Sequence, residues 1–199
     1  MTTQREGLTT PEIDSWPPAD GSLARRLERA EGSANASFVE ARAGLEPGSG
    51  ASWAAFGGIY AMYDGAASPL TQTFGLGMFE AVTETQLEGI ESFFAERGAP
   101  VFHEVAPFLS PESLTLLSAR GYRPIEHSTV LVRPVGAAPD SVSSITAREI
   151  RAGEGDLWAR TAGAGWSSES EELAAFVEAF GAIIARARGT HCFLAERDG

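Results

Sequence analysis

His103 and Glu104 stand side by side in Pro100 to Val105, a run that reads as a short buried strand. A neutral imidazole or a carboxylate can take a proton from an amine, directly or through a water. Neighbours in a strand point to opposite faces, so the two do not work as one unit, and a structural histidine beside a solvated glutamate explains the same pair. Glu126-His127 meets the same objection. His191-Cys192 has no companions at metal-ligand spacing, so no metal site is expected and Cys192 reads as buried strand packing. Gly75 and Gly77 are weak backbone candidates for holding an anion, because amides free of side chains can curl around an oxyanion. Strand geometry, such as a bulge, is the competing reading of these two glycines.

Charge narrows the partners. The chain carries 15 Lys plus Arg against 27 Asp plus Glu, a net charge of −12. A nucleic-acid partner is not expected, since phosphate contacts need clustered cations. A cationic small molecule such as an amine is compatible, and so is a charge that only maintains solubility. Every basic residue is Arg, which removes a catalytic lysine. The single cysteine, Cys192, cannot form an internal disulfide, and a reducing cytoplasm is the simplest home. No apolar run approaches the roughly 18 residues that cross a bilayer, so no membrane partner is expected. Met1 to Asp20 lacks the basic and apolar regions of a secretory signal.

The elements that must position these residues follow from periodicity. Residues 1–21, with Pro11, Pro17 and Pro18, read as a flexible arm. Asp20 or Ser22 then offers an N-cap. Leu23, Leu27, Ala30, Ala34 and Phe38 mark the apolar face of a helix that Gly32 and Ser33 weaken midway. Trp53 to Tyr63 and Leu70 to Phe79 read as two strands, the first closed by the turn Asp64-Gly65. Thr83 and Gln86 have capping-box spacing ahead of a stripe of Leu87, Ile90 and Phe94, and Gly98 ends that helix. Ser110-Pro111 opens a further helix, with Leu114 and Leu117 on one face and Gly121 at its end. Tyr122 to Pro134 reads as a longer strand. After a linker at 136–141, the pattern is a strand (142–150), two helices (154–162 and 170–186) and a strand (190–195). Arg197-Asp198-Gly199 looks like the start of a hairpin turn whose second strand is missing, which suggests a truncated sequence.

The order strand, strand, helix, strand, helix, long strand, together with Leu114-Thr-Leu-Leu-Ser-Ala-Arg-Gly121-Tyr122-Arg-Pro-Ile-Glu126, resembles the GCN5-related N-acetyltransferase (GNAT) superfamily. The match lies in a helix ending in Gly-aromatic followed by a strand. Thr71 to Gly77 and Phe102 to Val105 resemble a two-unit subgroup, with a degenerate unit at 22–135 and the start of a second unit at 142–199. The resemblance implies an α/β (α+β) fold: a mixed, mostly antiparallel twisted sheet flanked by helices, followed by a partial second unit. It implies acetyl-CoA as cofactor and an amine of a small molecule or peptide as acceptor. It also implies that Trp166 borders the acceptor pocket. A homodimer is among the expected partners. The family's pyrophosphate loop would fall at Met78 to Thr85, which has no glycine and carries Glu80 and Glu84. Its frequent general-acid Tyr falls at Leu117 and its frequent Asn at Ser110. The expected function is therefore N-acetyl transfer at the level of the family, with this chain unable to act alone. The alternative is a non-catalytic ligand-binding or interaction module on a degenerate GNAT fold.

Overall fold

The computed structural model describes residues 17–134 and 144–197. Most of the N-terminal arm, the linker at 136–141 and the turn at Asp198-Gly199 lie outside the described residues. The fold is mixed α+β, with five α-helices and two small antiparallel sheets among the described residues.

Helix α1 spans Gly21–Leu45 without a break, capped by Asp20, whose carboxylate accepts from the amides of Ser22 and Leu23 at 2.9 Å. The expected weak point at Gly32 is instead a close contact. A Cβ there would lie 2.7 Å from the Tyr60 ring, so only glycine lets the helix lie this close to the sheet. The buried line of α1 also differs from the apolar stripe. Glu28, Gly32, Ala36, Phe38 and Val39 face inward, while Ala30 and Ala34 are exposed.

The run read as one strand over Trp53 to Tyr63 is a hairpin. Strands β1 (Ser52–Phe56) and β2 (Ile59–Tyr63) pair antiparallel, with Phe56 opposite Ile59. Gly57-Gly58 makes the two-residue turn, and Gly57 takes a φ of 65°. The next run shrinks to β3 (Thr73–Phe74), which pairs antiparallel with β2. Gly75 and Gly77 end it, with φ of 78° and 69°. These left-handed angles leave the ladder, so Leu76 and Met78 are buried from a loop and not from an alternating strand.

Helix α2 (Glu84–Ala95) forms as its sequence predicts, with the Thr83/Gln86 capping box in place. Leu87, Ile90 and Phe94 are completely buried against β2, each contributing about 1.5–3 kcal/mol. Pro100 to Val105 contributes a single parallel bridge, His103 to Thr73, in place of a full strand. Helix α3 (Pro111–Ala119) has the expected Ser110 cap. It buries Ser113 and Leu117, and Leu114 is half exposed. The expected strand over Tyr122 to Pro134 is not formed. A strand needs a neighbour for its amides and carbonyls, and no backbone hydrogen bond joins residues 123–134 to the described residues.

Strands β4 (Ile145–Glu149) and β5 (Phe193–Arg197) pair antiparallel in a separate two-stranded sheet. Helices α4 (Gly155–Ala164) and α5 (Glu171–Ile184) lie between them in the chain and pack on each other, with Gly163 of α4 against Ala174 and Glu178. This half meets the first through α1. Phe38 and Phe180 stack with ring centroids 4.3 Å apart, and Ile183 joins the cluster of Ala36, Val39 and Phe74.

Candidate functional site

Three elements converge at the end of β3. The left-handed turn at Gly75 directs its amide toward α1, where the Glu28 carboxylate accepts it at 2.9 Å. Glycine is required at this point. A Cβ on Gly75 would lie 2.9 Å from the Phe79 ring and 3.1 Å from the Gly58 carbonyl. The parallel bridge brings in the third element. The Thr73 amide donates to the Phe102 carbonyl and the Glu104 amide donates to the Thr73 carbonyl, both at 3.0 Å. Glu104 is thereby held where the charges of Glu31 and Glu28 act on it.

The electrostatics follow from this packing. Burial pushes the Glu104 carboxyl up to about 7, and the neighbouring negative charges of Glu31 and Glu28 add to the rise. Burial also raises Glu28, opposed by the hydrogen bond from Gly75 and reinforced by Glu31. Glu28 is 8% exposed, whereas Glu31 is open to solvent. The charges of Glu31 and Glu28 thus bear on Glu104 beside the glycine turn.

His103 and Glu104 face apart, as their adjacency in the bridge requires. The His103 Nδ1 and the Thr73 hydroxyl are hydrogen-bonded at 2.7 Å. Its Nε2 is buried with no partner among the described residues. Burial lowers the imidazole to about 4, so the ring is neutral near pH 7. The Tyr122 ring meets it edge-on with centroids 4.6 Å apart. The Tyr122 hydroxyl donates to Glu91 at 3.1 Å. Burial first, then the Glu91 charge, pushes the phenol up to about 12.

A second amide-rich place is the N-terminus of α2, where the resemblance puts the pyrophosphate of acetyl-CoA. Three of its donors are already occupied. The Val82 amide donates to Ser113 Oγ at 3.3 Å, the Thr83 amide to Gln86 Oε1 at 2.9 Å, and the Gln86 amide to Thr83 Oγ1 at 3.2 Å. The Glu80 carboxylate lies over the β1–β2 turn, accepting from the Gly58 amide at 3.3 Å and from Gln86 Nε2 at 2.7 Å. Phe79 packs against Gly58, and Arg29 of α1 lies over its ring, 4.6 Å from the centroid. The residues at 78–86 do not fit a pyrophosphate. The Met78, Val82, Thr83 and Gln86 amides are taken internally, and Glu80 and Glu84 place negative charge beside the rest.

Of the residues singled out in the sequence, Gly75 and Glu104 come together through Glu28. Gly77 packs tightly against the Leu109 side chain and Val82 instead. Trp166 is half exposed in the turn after α4, its amide donating to the Gly163 carbonyl. Cys192 is buried next to β5, and burial pushes its thiol up. His191 pairs with Glu149 at 2.7 Å on the surface. Among the described residues no group of His, Cys, Asp and Glu could hold a metal ion, and no helix is long and apolar enough to cross a membrane. Glu28 was missed, because an apolar stripe has no place for a buried carboxylate. Its sequence signal is the spacing of four to Gly32 and of eight to Ala36, the small residues that bring the helix close to the sheet.

No protein-family model, no curated protein and no solved structure matches this chain.

Proposed function

We propose that this protein binds a cationic amine of a small molecule or peptide at Glu28, Glu31 and Glu104, as the acceptor side of GNAT-type N-acetyl transfer. The observation that carries the reading is the convergence of α1, the Gly75 turn and the bridged segment 102–104, where Glu28 takes the Gly75 amide and the charges of Glu31 and Glu28 act on Glu104. In support of the GNAT-like scaffold stand the antiparallel β1–β2–β3 order, the crossover through α2 and the parallel return of residues 102–104 on β3. Glu104 is suited to hold an ammonium when ionised and to accept its proton near neutral pH. Acetyl-CoA remains an expectation of the resemblance, and no transfer step is assigned to the described residues, because Glu80 and Glu84 stand where the resemblance puts the pyrophosphate.

A non-catalytic amine-binding module is the second reading, and the internally capped α2 favours it. Calorimetry with putrescine and with acetyl-CoA, joined to an assay for released thiol, separates the two. Putrescine binding that is lost in Glu104→Gln supports the amine site under either reading. Thiol release dependent on amine selects the transferase, and no heat with acetyl-CoA selects the module. If putrescine gives no binding, or binds Glu104→Gln equally well, the amine site is wrong.

A further inference from the structure

We propose that His103 is an acid-sensitive latch, and that a proton on its ring releases residues 102–104 from β3. The proposal stands on the bridge geometry and does not depend on amine binding or acyl transfer. Among the described residues the only sheet-like contact of this segment is the His103–Thr73 bridge, made of two backbone hydrogen bonds at 3.0 Å. The ring reinforces it from the side through the Thr73 hydroxyl at 2.7 Å. Its other nitrogen, Nε2, is buried and meets no hydrogen-bond partner among the described residues.

A proton on the ring would place an N–H donor and a positive charge where nothing receives them. A buried donor without a partner is avoided, and opening the bridge to water is the available relief. The groups facing the ring offer no counter-charge in direct contact. Thr73 on β3 presents a hydroxyl. Tyr122 after α3 presents its ring edge, with its hydroxyl turned to Glu91 of α2. Glu104, the next residue, faces the Glu28 and Glu31 side of α1.

The sign is fixed by linkage. The imidazole binds its proton more weakly when closed than when open, so the latch is fully stable above the ordinary histidine range. Its open fraction rises about tenfold per pH unit between 6.5 and about 4, then levels off. Glu104 and Glu28 act in the opposite sense. Their raised carboxyls make protonation favour the closed form as pH falls. The latch is therefore read from the difference between two proteins that share these carboxylates.

Amide hydrogen exchange at Glu104, corrected for intrinsic rate, is measured against pH in the wild type and in His103→Gln. Glutamine can still donate to the Thr73 hydroxyl oxygen, as an Nδ1–H on the neutral ring does, but does not titrate. On moving from pH 6.5 to 4.5 the opening ratio of wild type to variant is expected to rise about fortyfold. Parallel curves for the two proteins would overturn the proposal. Should the variant fail to fold, titration of the His103 ring by nuclear magnetic resonance in the wild type decides. A midpoint near 4 supports the latch, and a midpoint at the ordinary histidine value contradicts it.

Discussion

The turn at Gly75 and the N-terminus of α2 are both places where backbone amides point out of regular structure, yet they are used in opposite ways. At Gly75 the amide is taken by a buried carboxylate, and further carboxylates gather behind it. At α2 the Val82, Thr83 and Gln86 amides are taken by neutral hydroxyl and amide groups, with Glu80 closing the adjacent hairpin turn. The first place brings the Glu28 and Glu31 charges to bear on Glu104, the setting the proposed amine site uses. The second keeps three of its donors internally and sets Glu80 and Glu84 beside the others, which repel the phosphate that free amides at a helix N-terminus otherwise hold. An amide's chemistry thus depends less on the glycine that exposes it than on which side chain reaches it first.

The largest effect is expected from closing the first place. Gly75→Ala adds a Cβ at a φ of 78°, against Phe79 and the Gly58 carbonyl. It is expected to lower stability by about 2–4 kcal/mol in denaturant unfolding, from left-handed strain plus overpacking. Next, Glu28→Gln keeps an acceptor for the Gly75 amide but removes a charge. Putrescine affinity is expected to fall about tenfold by calorimetry, about 1.4 kcal/mol. In the wild type the same affinity should rise with pH through about 7, as Glu104 ionises while the amine stays charged. Glu104 also contributes to stability in the reverse sense, since its raised carboxyl favours the fold below the unfolded value of 4.5 and loses that advantage as pH climbs to about 7. Glu104→Gln should flatten both dependences. The smallest effect belongs to the second place. Thr83→Ala removes the cap on the Gln86 amide and should cost about 1 kcal/mol without changing putrescine binding.

Local signals in the sequence were read well where the partner residues are close in the chain. The Thr83/Gln86 box, the Leu87–Ile90–Phe94 stripe, the Ser110 cap and the left-handed Gly98 and Gly121 all lie within a few residues of what they act on. The failures depend on distant partners or on glycine read too broadly. Gly57-Gly58 turns a chain that was read as one strand, and Gly75 stops a second one early. The stripe on α1 was set by apolar residues alone. The helix in fact turns toward the sheet the face holding Gly32, which meets Tyr60, and Glu28, which meets Gly75 across a separation of 47 residues. For residues 123–134 a strand read from the sequence alone could not supply the neighbouring strand that pairing requires. At the site, the chemistry of Glu104 was visible as a residue type, but its setting was not, because Glu28 and Glu31 come from another element.

The Glu104 side-chain carboxyl, followed by carbon-13 resonance against pH with and without putrescine, gives the sharpest test. It should titrate near 7 alone and at a lower pH when the amine is bound. An ordinary carboxylate midpoint that putrescine leaves unmoved would contradict the reading of this turn as a cation site.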